Sequence, residues 1–164
     1  MILFSQSAPA RSALAIAALA ALTLAGAWAF QLAGYPPCDL CYAQRNAYYA
    51  AAPVGLAIAL AATMKAPRAV LGLGFALMAA MFVYNAGLAI YHSGVEAKLW
   101  AGPTACTGGY VGGQGDLLTQ LQTIKVVRCD EVNLRVFGLS LANWNVFISA
   151  ALAALGAASW LRRQ

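Results

Sequence analysis

Four apolar runs, each about 20 residues long, decide most of what this chain can fold into. They cover about 12–32, 42–64, 69–92 and 141–161. A helix rises ~1.5 Å per residue, so about 20 residues cross a hydrocarbon core ~30 Å thick. Lipid offers no partner to a backbone amide, so such runs must be helical. The first run exceeds the ~7–15 residues of a signal-peptide core and reads as a retained span. Composition agrees: 9% of residues are charged, against ~25% in a soluble domain. With 164 residues there is no room for a separate soluble domain. The expected fold is all-α: one integral membrane four-helix bundle over 1–164, with trans-side loops at about 33–41 and 93–140.

The net charge of +5 invites a nucleic-acid reading, which the layout of the charges argues against. Arg11, Lys65, Arg68, Arg162 and Arg163 all fall on one side of the four spans. Asp39, Glu96, Asp116, Asp130 and Glu131 fall on the other, balanced by Arg45, Lys98, Lys125, Arg128 and Arg135. The positive-inside rule makes the first side cytoplasmic, with both termini. The excess charge reports topology, and no nucleic-acid partner is expected. Trp28, Trp100 and Trp144 near one face and Trp160 near the other suit interfacial belts.

All four cysteines, Cys38, Cys41, Cys106 and Cys129, lie on the trans side or at its edge. That compartment permits disulfides. Three readings of the cysteines stand. Two structural disulfides can staple the loops; closing the one between Cys106 and Cys129 contributes roughly 3–4 kcal/mol in the chain-entropy model. Four thiols can hold zinc, although the second pair lacks the usual ligand spacing, and no metal is expected. A Cys-x-x-Cys pair can also relay electrons by thiol–disulfide exchange. In "PPCDLCYAQR", Pro36 and Pro37 block any earlier helix, so a span begins near Asp39 or Cys41. Cys41 then falls in its first turn, where amide groups and the helix dipole favour a thiolate. Arg45 follows one turn later on the same face. A staple needs no cation there, whereas a reactive thiolate benefits from one.

"CDLCYAQR", "YHSGVEAKLWAGPTAC" and "CDEVNLRVFGLSLANWN" occur in that order on a four-span scaffold. Together they resemble the bacterial disulfide bond formation protein B family over most of the chain. The resemblance implies a multi-pass protein of the bacterial inner membrane. It would reoxidise a periplasmic thioredoxin-like dithiol oxidase of the disulfide bond formation protein A type and pass the electrons to ubiquinone or menaquinone. It implies that Cys38 and Cys41 stand beside the quinone and that Cys106 and Cys129 meet the partner. The disulfides expected from it in the resting oxidised form are Cys38–Cys41 and Cys106–Cys129. Arg45 and His92 are implied at the quinone, and Glu96 is added as a carboxylate able to move protons there. Alignment of Glu96 with His92 needs α-helix past Gly94, and glycine argues against that. Two alternatives remain: a structural four-span protein with two stapling disulfides, and a quinone-linked disulfide generator of the vitamin K epoxide reductase type. In the latter the Cys-x-x-Cys motif follows the loop pair, the reverse of the order here.

Within the long loop, Leu117, Leu118, Leu121 and Ile124 recur at helical spacing after Asp116, a candidate N-cap. They predict a short amphipathic helix on the membrane surface. The Gly-rich stretch 107–115 reads as a flexible tether for the loop pair.

Overall fold

In the computed structural model, residues 8–107 and 127–163 are described. Four long helices, α1 (Ala8–Leu32), α2 (Asp39–Thr63), α3 (Arg68–Glu96) and α5 (Leu141–Leu161), are long and apolar enough to cross a membrane. A single turn, α4 (Thr104–Thr107), and a two-stranded hairpin, β1 (Arg135–Val136) and β2 (Leu139–Ser140), lie between α3 and α5. The predicted amphipathic helix and the Gly-rich stretch after Thr107 fall outside the described residues.

The bundle is built from two tight pairs, α1 with α2 and α3 with α5, joined chiefly through α2 and α3. Lipid supplies no hydrophobic drive between helices, so close packing of small residues must do it. Gly55 lies so near α1 that a Cβ there would stand 2.8 Å from the Ala17 Cβ. At Gly156 a Cβ would meet the Ala79 backbone nitrogen at 3.1 Å. Between the pairs, Ile16, Tyr48, Phe75, Met78, Phe82 and Leu152 fill the buried centre. Leu22, Leu56, Leu73 and Val83 point outward, as lipid-facing residues should. Gly156→Leu should therefore force α3 and α5 apart, at about 1–3 kcal/mol for overpacking. A thermal melt in detergent should drop by several degrees; an unchanged melt would show that this contact does not hold the pair.

Backbone details correct two expectations. Helix α3 does not stop at Gly94 but runs through it to Glu96. The glycine serves a close approach: the Trp100 ring occupies the space of its missing side chain, and a Cβ would sit 1.9 Å from that ring. Trp100 is held there by donating Nε1–H to the Tyr91 carbonyl at 2.8 Å and by stacking on the Tyr91 ring. The region read as loop also contains the hairpin, whose turn residues Phe137 and Gly138 have φ of 51° and 84°. Two consecutive left-handed residues give the twist that a two-residue hairpin turn needs. Trp144 Nε1–H donates to the Val136 carbonyl at 2.9 Å and ties the hairpin to α5.

Candidate active site

Pro36 and Pro37 bring the chain extended into α2, and Cys38 becomes its N-cap. The Cys41 amide donates to Cys38 Sγ at 3.3 Å. Cys38 thus caps the first turn, and Cys41 lies within that turn, as the sequence places it. Cys38 and Cys41 are free thiols with their sulfurs 3.0 Å apart, Cys38 donating. The Cys38–Cys41 bond expected of the oxidised form is not closed here, and a hydrogen bond joins the two sulfurs. That contact first, and burial second, push the Cys38 thiol far above its ordinary range.

Cys106 and Cys129 form a disulfide, and both are fully buried. The Cys129 amide donates to the Cys106 carbonyl at 2.9 Å, so backbone as well as sulfur joins the two segments. Cys38 Sγ and the two bonded sulfurs lie within 4.8 Å of one another. Three sulfurs from segments far apart in sequence therefore meet, with Leu40 and Val95 packed around them. Beside them, Asp130 accepts from Lys98 and Arg128. Arg128 first and Lys98 second hold its carboxyl well below the usual range. A depressed carboxyl contributes above its unfolded pKa and is lost as pH falls through its folded one, so this clamp persists through neutral pH and opens only in strong acid.

His92 is brought to the same place by the final turns of α3. Its Nε2 lies 3.6 Å from Cys38 Sγ and 3.9 Å from Glu96 Oε1. Glu96 is not a solvated loop residue. Ser140 Oγ donates to its Oε2 at 2.5 Å, and the same oxygen of Ser140 caps α5 by accepting from the Asn143 amide.

Arg45 is buried. Its guanidinium donates to Gln31 Oε1 at 2.7 Å and to the Ala27 carbonyl at 3.2 Å, both on α1. It lies 5.6 Å from the centre of the Trp28 ring and 5.3 Å from that of Tyr42. Arg45, Cys41, Gln44 and His92 share one wall of a cavity of about 360 Å³. Leu24, Phe30, Trp144 and Ile148 give it apolar walls.

Sequence reasoning missed a set of buried polar groups behind this wall. Gln44 and Tyr48 of α2, Asn85 of α3, and Asn145 and Ser149 of α5 are hydrogen-bonded to one another or to His92. The signal was present: Gln44 and Tyr48, and likewise Asn145 and Ser149, are four residues apart in predominantly apolar spans. Polar side chains inside a span are costly and point to function.

Four helices enclosing a dithiol, a neighbouring disulfide and a buried cation define a membrane-embedded thiol oxidoreductase. Residues 9–159 match the family described as Disulfide bond formation protein DsbB, and the chain belongs to that family. Its function is accordingly in disulfide bond formation, in a family of multi-pass inner-membrane proteins that is generally quinone-linked. No curated protein and no solved structure matches the chain.

Proposed function

We propose that this protein reoxidises a periplasmic thioredoxin-like dithiol oxidase of the DsbA type and passes the electrons to a membrane quinone. The observation that carries the reading is the meeting of Cys38 Sγ with the Cys106–Cys129 disulfide within 4.8 Å. Exchange requires a sulfur beside a disulfide, and a staple does not.

The exchange balances as follows. A partner thiolate attacks Cys106 Sγ, a partner–Cys106 bond forms, and Cys129 leaves with the electron pair. The Cys129 thiolate attacks Cys38 of a Cys38–Cys41 disulfide, and Cys41 leaves as thiolate. The partner's second thiolate releases Cys106, and Cys106 closes back onto Cys129, freeing Cys38. The product is a loop disulfide beside a Cys38/Cys41 dithiol, the arrangement described above. Attack at Cys38 follows from position, since Cys38 is the sulfur grouped with the loop disulfide.

The residues present fit a quinone. The cavity couples apolar walls to Arg45, Gln44 and His92, the kind of site that holds an apolar ring by a few placed polar groups. Ubiquinone or menaquinone, when bound, supplies the acceptor for the two electrons and two protons that leave the dithiol. Arg45 would place a fixed positive charge at the cavity wall, in a site of weak screening. Glu96, joined to His92 and Ser140, would hold or move a proton next to Cys38.

Acid-quenched turnover with reduced partner, followed by peptide mapping without reduction, tests the relay. A transient Cys38–Cys129 link is expected. A Cys41–Cys129 link in its place would reverse the roles of the first pair, and no link between the pairs would favour the staple.

The charge layout supports a cytoplasmic location for both termini. An alkaline phosphatase fused at the C-terminus should be inactive, and one inserted within 108–115 should be active. The opposite pattern would invert the orientation.

A further inference from the structure

We propose that Gln44 and Asn145 are positioning residues that fix the tautomer of His92, so that its Nε2–H faces Cys38 Sγ. This rests on the exchange reaction proposed above. The chain of bonds begins deep in the bundle. Asn85 Nδ2 donates to Ser149 Oγ at 2.9 Å, which leaves the Ser149 proton for Asn145 Oδ1 at 3.1 Å. The Tyr48 hydroxyl donates to the same Asn145 oxygen. With its oxygen held by two donors, Asn145 turns its amide nitrogen to Gln44 Oε1 at 2.5 Å. Gln44 in turn has its oxygen occupied, so its amide nitrogen faces His92 Nδ1 at 3.0 Å. An amide nitrogen can only donate, so Nδ1 must accept and the ring proton of neutral His92 sits on Nε2.

The other side of the ring agrees. Nε2 faces acceptors: Cys38 Sγ at 3.6 Å and Glu96 Oε1 at 3.9 Å. The donated proton therefore meets the sulfur that must carry negative charge when it is released from a mixed disulfide with Cys129. A ring free to adopt the other tautomer would present a lone pair to that sulfur and repel the charge. Burial makes the relay strict, because Gln44, Asn85, His92 and Ser149 are at most 5% exposed and a lost partner there is costly.

His92 is the only histidine of the chain. Protein labelled with 15N-histidine and purified on a tag without histidine gives one pair of ring-nitrogen resonances. In the dithiol form at mildly alkaline pH, the wild type should show a protonated Nε2 and a bare Nδ1. Gln44→Met should give a mixture of tautomers. A dominant Nδ1–H form in the wild type, or an unchanged spectrum in Gln44→Met, would overturn the proposal.

A second readout follows Cys38 alone, in a Cys41→Ser background, by its rate of alkylation. Loss of one hydrogen bond to a developing thiolate should slow it about tenfold in Gln44→Met. His92→Ala should slow it at least as much, and Gln44→Met added to His92→Ala should slow it no further. Additive slowing would mean that Gln44 does not act through His92. Both measurements are independent of quinone turnover. A wild type that shows the expected tautomer but cannot couple partner to quinone would therefore defeat the proposed function alone.

Discussion

Cys106→Ala should abolish oxidation of the reduced partner while the four long helices stay folded in the membrane. The loop disulfide is the acceptor of the partner's thiolate in the proposed cycle, and no other described sulfur can take its place without loss of the Cys38 relay. The bundle has little need of this bond. Its two tight helix pairs are held by small-residue contacts at Gly55 and Gly156 and by the core around Phe75, Phe82 and Leu152. The disulfide closes a loop with a sequence separation of 23 residues, so its removal should cost at most roughly 3–4 kcal/mol. Circular dichroism should thus report full helix content in a variant with no turnover. A variant that fails to insert, or that loses its helices, would make the bond structural and the stapling alternative the better reading.

Arg45→Ala should lower quinone-coupled turnover by roughly 10- to 100-fold, the range for losing a buried charge-assisted hydrogen bond. The substitution removes the cation from the cavity wall and leaves Gln31 Oε1 and the Ala27 carbonyl without their donor. Arg45→Lys keeps the charge but cannot span both acceptors while lying against Trp28 and Tyr42, so a partial loss is expected. Trapping of the partner on Cys106 should proceed as in the wild type in both variants, because that exchange occurs at the loop disulfide. If Arg45→Ala stopped partner trapping as well, the arginine would be supporting the whole bundle and not the quinone side of the cycle.

The two halves of this site differ in how far they could be read from residues alone. The spans and the Cys-x-x-Cys pair were legible because lipid imposes length and composition and because proline fixes the start of α2. That Cys38 itself caps α2 was not, since its bond to the first turn depends on one rotamer. Gly94 was misread because a glycine that breaks a helix and one that admits an aromatic ring look the same in one dimension; only the position of Trp100 separates them. The hairpin at 135–140 is too short for its two-residue strands to show alternation. Gln44 and Asn145 were overlooked for a different reason. Each is an ordinary polar residue, and the role of the pair appears only when the helices bring Asn145 against Gln44 and Gln44 against His92.

The claim at the centre of this account is that electrons move from a partner dithiol, through the two cysteine pairs, to a quinone. Purified protein, a reduced DsbA-type partner and a water-soluble ubiquinone analogue can be mixed and the quinone absorbance followed. One quinone reduced for each partner dithiol oxidised, with no reduction in Cys106→Ala or Cys38→Ser, is the predicted result. Partner oxidation that proceeds with no change in quinone absorbance, or quinone reduction that survives loss of Cys38, would contradict it.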